Sequence, residues 1–285
     1  MKLCRFETAP AQPRIGLTLD DKTLLDLTAA GIERLTPLLE SDHLPKRLAV
    51  LAKSGLPSHR IDAVRLLAPV ERQEVWAAGV TYLRSKNARM EESDFSATAY
   101  DKVYDAPRPE IFFKSLAEKV VATAEPVGIR RDAKWNVPEP ELALVISSRG
   151  EVVGYTAGND MSSRDIEGEN LLYLPQAKVY DRSCALAPWI AVGVTEAQAR
   201  KWTIGVQISR KGKVVFQGET SVGQIKRGFA ELADWLCTSQ LFPHGAVLLT
   251  GTGVVPGDDF TLHAHDTVRI TVSGIGMLEN PVTVV

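Results

Sequence analysis

Four charged residues in the middle of the chain have the types and the spacing of a metal-dependent active site. Glu139 and Glu141 are two residues apart, Asp160 follows 19 residues after Glu141, and Lys178 follows 18 residues after Asp160. Carboxylates bind cations, and a lysine beside them can exchange protons with a substrate. The chemistry that this set indicates is proton transfer next to a bound cation.

The two glutamates stand at the entrance of a predicted strand. Apolar residues 142–146 follow Glu141, and residues i and i+2 of a strand share a face. A turn signal at residues 147–151 and a second apolar run at 152–157 predict a hairpin that ends at Asp160. Because a hairpin brings its open ends together, Asp160 should lie close to Glu139 and Glu141.

Three carboxylates at one place repel one another unless a cation neutralises them. Their hard oxygen atoms suit Mg²⁺, and also Mn²⁺ or Ca²⁺, better than Zn²⁺, which favours histidine and cysteine. A single Glu-x-Glu at a strand start is usually solvated, but three converging acids near Lys178 favour a metal site. Asp165 and Glu167 follow Ser162 at a predicted helix start, and we interpret them as capping or supporting groups, with Arg164 as structural.

Composition limits the kind of protein. The chain has 285 residues, 45% hydrophobic and 24% charged, and its net charge of −2 comes without a basic block, so a nucleic-acid partner is not expected. Cys4, Cys184 and Cys237 form no CxxC pair, and their odd number predicts a reducing, cytoplasmic location. No stretch has the apolar length of a signal core or of a membrane span.

The first 70 residues read as a separate small unit of strands and helices. Two short strand patterns flank Asp20-Asp21, helical patterns follow, and Pro69 breaks the pattern before a new run begins. This part carries no cluster of catalytic residue types. We therefore predict a small N-terminal domain over residues 1–70 with a packing role, and a catalytic domain over residues 71–285.

Two segments near the start of the catalytic part could line a pocket. Gly79 and Thr81 end the apolar strand 75–82 and are predicted to form a pocket wall, with a β-bulge as the alternative. Farther on, Pro107 and Pro109 hold the chain extended. Arg108, Glu110 and Lys114 could then share one side as site residues, the alternative being an edge strand with solvated charges.

A glycine-rich turn follows the late apolar strand 246–250. Its sequence, Gly251-Thr252-Gly253, offers backbone N–H groups and a hydroxyl that suit a substrate carboxylate. Taken alone, an ordinary turn is the better interpretation. The carboxylates elsewhere in the chain are what make Thr252 a candidate substrate ligand.

Together these motifs resemble the fumarylacetoacetate hydrolase family over roughly residues 75 to 285. The resemblance rests on PEPELALVI, GYTAGNDMSSRD, LYLPQAKVYD, GTG and GIGMLENPV, which occur in this order. The segments YDKVYDAPRPEIFFK and EGENLLYLPQAKVY are similar to the branch that dehydrates 2-keto-3-deoxy-D-arabinonate, which is the same compound as 2-keto-3-deoxy-D-xylonate.

The resemblance implies an α+β, β-rich fold in which a mixed β-roll catalytic domain follows a small α/β N-terminal domain. It also implies Mg²⁺ held by Glu139, Glu141 and Asp160, a substrate-facing Lys178, and a homodimer or dimer of dimers. Thr252 would bind the substrate carboxylate. Hydrolases of this family activate water with a histidine–glutamate dyad, whereas this chain has no histidine between His59 and His244, which argues against C–C bond hydrolysis.

The expected reaction is dehydration of a 2-keto-3-deoxy sugar acid. A 2-keto acid can chelate the cation through its carboxylate and keto oxygens, which acidifies the C3 protons and stabilises the enolate. Lys178 would exchange protons at C3, and Glu110 would assist departure of the C4 hydroxyl, with Arg108 or Lys114 as its neighbour. Tautomerisation would then yield 2,5-dioxopentanoate.

Two alternatives stay open at the level of the sequence. One is a C–C hydrolase or a decarboxylase/isomerase acting on a diketo or dienoic acid, and the other is a non-catalytic metal- and ligand-binding module. A Schiff base at Lys178 ranks low, because a metal already serves as the electron sink. The substrate's chain length and its C4 stereochemistry are also open.

Overall fold

The computed structural model of the chain describes residues 1–82 and 102–285. The polar sequence of the segment from Leu83 to Tyr100 predicts a helix that could close over the site as a lid, and this segment lies outside the described residues. In the described parts, none of the helices combines the length and the apolar character needed to cross a membrane.

Strands dominate the described chain. They are β1 Lys2–Glu7, β2 Pro13–Thr18, β3 Thr23–Asp26, β4 Ser58–Arg60, β5 Arg65–Leu67, β6 Glu74–Gly79, β7 Glu110–Ser115, β8 Val127–Ile129, β9 Asn136–Val137, β10 Pro140–Ile146, β11 Val152–Asp160, β12 Ser162–Ser163, β13 Cys184–Leu186, β14 Ile190–Ala191, β15 Thr203–Arg210, β16 Lys213–Ser221, β17 Ala246–Leu249, β18 Thr267–Val272 and β19 Gly276–Val284.

The helices between these strands are short. The α-helices are α1 Leu35–Leu39, α2 Leu44–Leu51, α3 Arg164–Glu169, α4 Leu174–Lys178, α5 Glu196–Ala199 and α6 Phe229–Cys237. Single 3₁₀ turns occupy Leu27–Ala30, Ile61–Ala63, Ala117–Lys119, Leu171–Tyr173 and Val222–Gln224. The helices α3 and α4 are thus short segments of the connection between β12 and β13.

Most strands join one mixed sheet. Its order is β4-β3-β2-β1-β14-β11-β10-β17-β6-β7, with β13 also on β11 and β5 also on β1. A second sheet has the order β16-β15-β18-β19-β8, and β9 pairs with β12. The sheet-rich α+β architecture predicted from the sequence is therefore what the structure has.

The ends of several strands that are distant in the sequence lie side by side along one edge of the large sheet. β17 runs parallel to β6 but antiparallel to β10, and β10 runs antiparallel to β11. The ends of β6, β17 and β11 consequently lie beside the start of β10. β7 pairs antiparallel with β6, so its start reaches the same edge.

The N-terminal strands continue the same sheet. β1 pairs with β14 through Lys2↔Ala191 and Leu3↔Ile190. The leucines of α1 and α2 pack with Val145 and Val192 in a shared apolar cluster. The division into residues 1–70 and 71–285 stays a prediction, and the two segments share both a sheet and a core.

Candidate metal centre and active site

The three predicted carboxylates share one face of the β10–β11 hairpin. Glu141 pairs with Gly158 across the hairpin, and paired residues point to the same face. Asp160 is two residues beyond Gly158, and Glu139 two residues before Glu141, so the alternation of side chains turns all three carboxylates one way. Their ligand atoms lie within 4.8 Å of one another, and all three residues are buried.

The electrostatics of Glu141 are unfavourable without a cation. Its carboxylate accepts the N–H of Gly251 at 2.6 Å, and it forms no ion pair with the described basic side chains. Burial raises the pKa of the Glu141 carboxyl well above its usual range, and the neighbouring Asp160 and Glu139 raise it further. A divalent cation would remove this penalty.

The space between the carboxylates fits a small ion. Glu139, Glu141 and Asp160 line a cavity of about 10 Å³, which is roughly the room that one water-sized sphere needs. Carboxylate oxygens are the ligands that Mg²⁺ prefers. The donor set, its burial and the cavity all fit a magnesium ion held by these three residues.

Lys178 reaches the cluster from the end of α4. Its ammonium group donates to Glu139 Oε2 at 2.8 Å and to Ser162 Oγ at 2.6 Å, and lies 3.5 Å from Asp160 Oδ2. The side chain is completely buried. The structure therefore places the predicted proton-transfer lysine directly beside two of the three carboxylates.

Gly79 and Glu110 face each other across β6 and β7. They form a register pair, and a Cβ atom added to Gly79 would lie only 1.9 Å from Glu110 Oε2. Glycine is thus required for the Glu110 carboxylate to lie over this strand end. Gly79 and Val80 also line the carboxylate cavity, and Val80 has a φ of 52°, which is unusual for a β-branched residue.

The GTG turn closes the same cavity from β17. Gly251 and Thr252 both line it, and Gly251 has a φ of +88°. The hydroxyl of Thr81 donates to the carbonyl of Thr250 at 2.6 Å, which ties the ends of β6 and β17 together. Thr252 is thereby brought to the cavity, and its hydroxyl, like that of Thr81, donates to a backbone carbonyl, here that of Val254 at 3.1 Å.

Comparisons with known proteins identify the family of the chain. The family described as Fumarylacetoacetate (FAA) hydrolase C-terminal matches residues 74–283. The chain belongs to the fumarylacetoacetate hydrolase family. The family resemblance predicted from the sequence is confirmed.

Two curated relatives within the family are similar over most of the chain. A "Probable 2-keto-3-deoxyxylonate dehydratase" of Haloferax volcanii is 46% identical over 76% of this chain and 74% of its own length. A "2-dehydro-3-deoxy-D-arabinonate dehydratase" of Saccharolobus solfataricus is 37% identical over 93% of this chain and 90% of its own length.

A solved structure of the family also matches the whole fold. It is described as "2-keto-3-deoxy-D-arabinonate dehydratase complexed with magnesium and 2,5-dioxopentanoate". It superposes with a TM-score of 0.83 at 33% identity, and the match covers 100% of this chain and 99% of that chain. The fumarylacetoacetate hydrolase-like fold predicted for this chain is thereby confirmed.

Two predicted substrate ligands lie elsewhere than the sequence suggested. Arg108 precedes β7, stacks its guanidinium 4.4 Å from the centre of the Trp235 ring, and lines a different cavity. Lys114 is completely buried and contacts protein groups, including Asp160 at 2.5 Å. Their substrate-binding role stays a prediction that these positions do not support.

The sequence analysis gives Asp165 and Glu167 as capping or supporting groups but does not predict that Ser162 and Arg164 contact the site directly. Arg164 donates to Glu139 Oε1 at 2.8 Å, Ser162 accepts from Lys178, and Glu167 lies 3.9 Å from the same ammonium. Asp165 accepts the backbone N–H of Lys134 at 2.6 Å. The signal in the sequence is the polar run Ser162-Ser163-Arg164, which begins two residues after the predicted metal ligand Asp160.

Proposed function

We propose that this protein is a Mg²⁺-dependent hydro-lyase that converts a 2-keto-3-deoxy-D-pentonate to 2,5-dioxopentanoate. The observation that carries the proposal is the buried set of Glu139, Glu141 and Asp160 with the ammonium group of Lys178 beside it. The names of its relatives, which are 2-keto-3-deoxypentonate dehydratases, support the choice of substrate.

Glu139, Glu141 and Asp160 would hold the ion. When bound, Mg²⁺ would supply a Lewis acid that acidifies the C3 protons of a 2-keto acid. Lys178 contacts both Glu139 and Asp160 and can carry a proton, and we assign it proton exchange at C3. Arg164 and Ser162 keep Glu139 and Lys178 in place through their hydrogen bonds.

Glu110 is assigned the second proton transfer. Its carboxylate lies against Gly79, whose backbone lines the cavity beside the carboxylates. From there it would protonate the departing C4 hydroxyl. Loss of the C3 proton and of the C4 hydroxyl as water would form a C3–C4 double bond, and tautomerisation would then give 2,5-dioxopentanoate. Thr252, which also lines the cavity, would bind the substrate carboxylate.

The absence of a histidine at the cavity favours dehydration over C–C hydrolysis. Among the residues that the structure describes, no histidine lines the carboxylate cavity. His59 instead lies 3.5 Å from Asp26 in the N-terminal segment. A hydrolase would need a general base for water at this place.

Assembly and location complete the proposal. We propose a homodimer or a dimer of dimers in the cytoplasm, on the basis of the family resemblance and of three cysteines that are all free. Light scattering coupled to size-exclusion chromatography measures the assembly, and a monomer at micromolar concentration would contradict that part.

The deciding experiment is a product assay. Purified protein is incubated with 2-keto-3-deoxy-D-pentonate and Mg²⁺, with EDTA, and with EDTA followed by excess Mg²⁺, and the products are identified by NMR. We expect 2,5-dioxopentanoate only when Mg²⁺ is present. Pyruvate as the product would refute dehydration, and tight Mg²⁺ binding without turnover would indicate a binding module.

A further inference from the structure

Lys114 is a buried cation whose contacts all lie within the protein. Its side chain has no exposed surface. The ammonium group donates to the carbonyl of Met161 at 3.0 Å and to the carbonyl of Lys178, and it pairs with Asp160 Oδ1 at 2.5 Å. The ammonium group thus donates hydrogen bonds to two backbone carbonyls, and the charge of Asp160 is paired with it at short distance.

The three partners of Lys114 belong to the two elements that carry the proposed chemistry. Asp160 ends β11 and Met161 follows it, while the carbonyl of Lys178 ends α4. Lys114 thus connects β7 with both the third metal ligand and the backbone of the proton-transfer lysine. Because a cation at a helix C-terminus is favourable, the position also suits the end of α4.

Asp160 is held from both sides by lysines. Its Oδ1 atom faces Lys114 at 2.5 Å, and its Oδ2 atom faces Lys178 at 3.5 Å. Two contacts on opposite oxygens restrict the rotation of the carboxylate about its own axis. The direction in which Asp160 presents a lone pair to an ion therefore depends on Lys114.

A local irregularity in the sheet aims Lys114 at this place. Phe113 pairs with Trp76 and Ser115 pairs with Val75, which leaves Lys114 as an extra residue at a register shift. Such bulges re-aim a side chain and are frequent next to active sites. In a regular strand, Lys114 would have a partner residue in β6 and its side chain would follow the alternation of its neighbours.

We propose that Lys114 is a positioning residue, which orients Asp160 for Mg²⁺ and fixes the end of α4 so that Lys178 reaches the cluster. The proposal rests on the metal site of the proposed function. It replaces the substrate contact expected from the sequence, since a substrate carboxylate could reach the ammonium only by displacing Asp160 or a backbone carbonyl.

The test compares Lys114→Met, Lys114→Gln and the control Lys119→Met, which alters an exposed lysine in the turn after the same strand. Isothermal titration of metal-free protein with Mg²⁺ measures metal affinity without turnover, and steady-state kinetics at saturating Mg²⁺ measures kcat and KM. Thermal denaturation checks that each variant is folded.

We expect Lys114→Met to weaken Mg²⁺ binding by about 10- to 100-fold, the usual effect of removing a partner of a metal ligand. Its kcat should fall while KM changes by less than about threefold, because a positioning residue does not itself contact the bound substrate. Lys114→Gln keeps N–H donors and should recover part of the affinity, and Lys119→Met should match the wild type.

Three results would overturn the proposal. Unchanged Mg²⁺ affinity in both Lys114 variants would exclude positioning of Asp160, and a raised KM with unchanged kcat would indicate a direct substrate contact. A wild-type protein that binds no Mg²⁺ would overturn this proposal and the proposed function together. If the wild type binds Mg²⁺ but does not turn over the pentonate, only the proposed function fails, and the titrations still decide the role of Lys114.

Discussion

Two carboxylates in this protein are shielded from water, but their pKa values shift in opposite directions. Glu71 lies at the start of α1, where it accepts the N–H groups of Leu35 and Thr36 at 2.8 and 2.9 Å and the hydroxyl of Thr36 at 2.6 Å. Burial alone would raise its pKa, but the hydrogen bonds from Thr36 and Leu35 and the nearby Arg5 outweigh burial and lower the pKa of Glu71.

For Glu141, burial and neighbouring charges outweigh the hydrogen bond that it accepts. It accepts one N–H group, from Gly251, and shares its cavity with two further carboxylates. Burial and these like charges raise the pKa of Glu141. The difference separates a structural carboxylate, whose partners are supplied by the chain, from a binding carboxylate, whose partner must come from outside.

The largest expected contrast is catalytic. Glu141→Gln should lower kcat/KM by roughly 10³-fold, because a lost ligand removes several kcal/mol of charge stabilisation and each 1.36 kcal/mol is a factor of ten. Glu71→Gln, the matched variant, should stay within about fivefold of the wild type. Steady-state assays at saturating Mg²⁺ measure both, and similar losses in the two variants would erase the distinction.

The second contrast is in stability. Glu71→Ala should lower the free energy of unfolding by about 2–4 kcal/mol, since α1 loses its N-terminal cap and Thr36 loses a buried partner. Arg34, the residue before α1, supplies no side-chain cap of its own. Urea denaturation followed by circular dichroism measures the change, with Glu118→Ala on an exposed turn as control. A loss no larger than that of the control would contradict the structural role.

The smallest expected effect is a difference in pH dependence of the metal-free protein. The folded-state pKa of Glu141 is raised, so its contribution to stability is present below the unfolded value of about 4.3 and is lost as pH rises through the folded pKa. Glu141→Gln stays neutral. Its Tm should exceed that of the wild type by about 2–4 °C at pH 8, the shift that roughly 1 kcal/mol produces, and should match it near pH 4.5.

The contribution of Glu71 to stability should depend on pH in the opposite direction. Its folded-state pKa is lowered, so its contribution is present above the unfolded value of about 4.3 and is lost as pH falls through the folded pKa. The Tm difference between the wild type and Glu71→Gln should therefore shrink towards acid. Differential scanning calorimetry of metal-free protein from pH 3.5 to 8 records both curves, and parallel curves for the two variants would refute the assignment.

The sequence by itself determined the cluster of three carboxylates that could hold a metal ion. Glu139 and Glu141 share a face because they are two residues apart in a strand, and Asp160 joins them because a hairpin returns the chain to its start. Both relations are local and follow from strand geometry and turn residues. The β-rich fold was implied by the family resemblance, and the strand and turn signals along the chain agree with it.

Only the tertiary structure decided what surrounds these carboxylates. The parallel pairing of β6 with β17 brings Gly79 and Gly251 to one cavity, although the two strands are far apart in the chain. Pairing between distant strands depends on the burial of the whole sheet, which no local pattern specifies. The register shift in β7 likewise turned Lys114 towards Asp160, while Arg108, which lies before that strand, stacks on Trp235. Strand propensity indicates that a strand forms, but long-range packing sets its register and so decides which side chains meet.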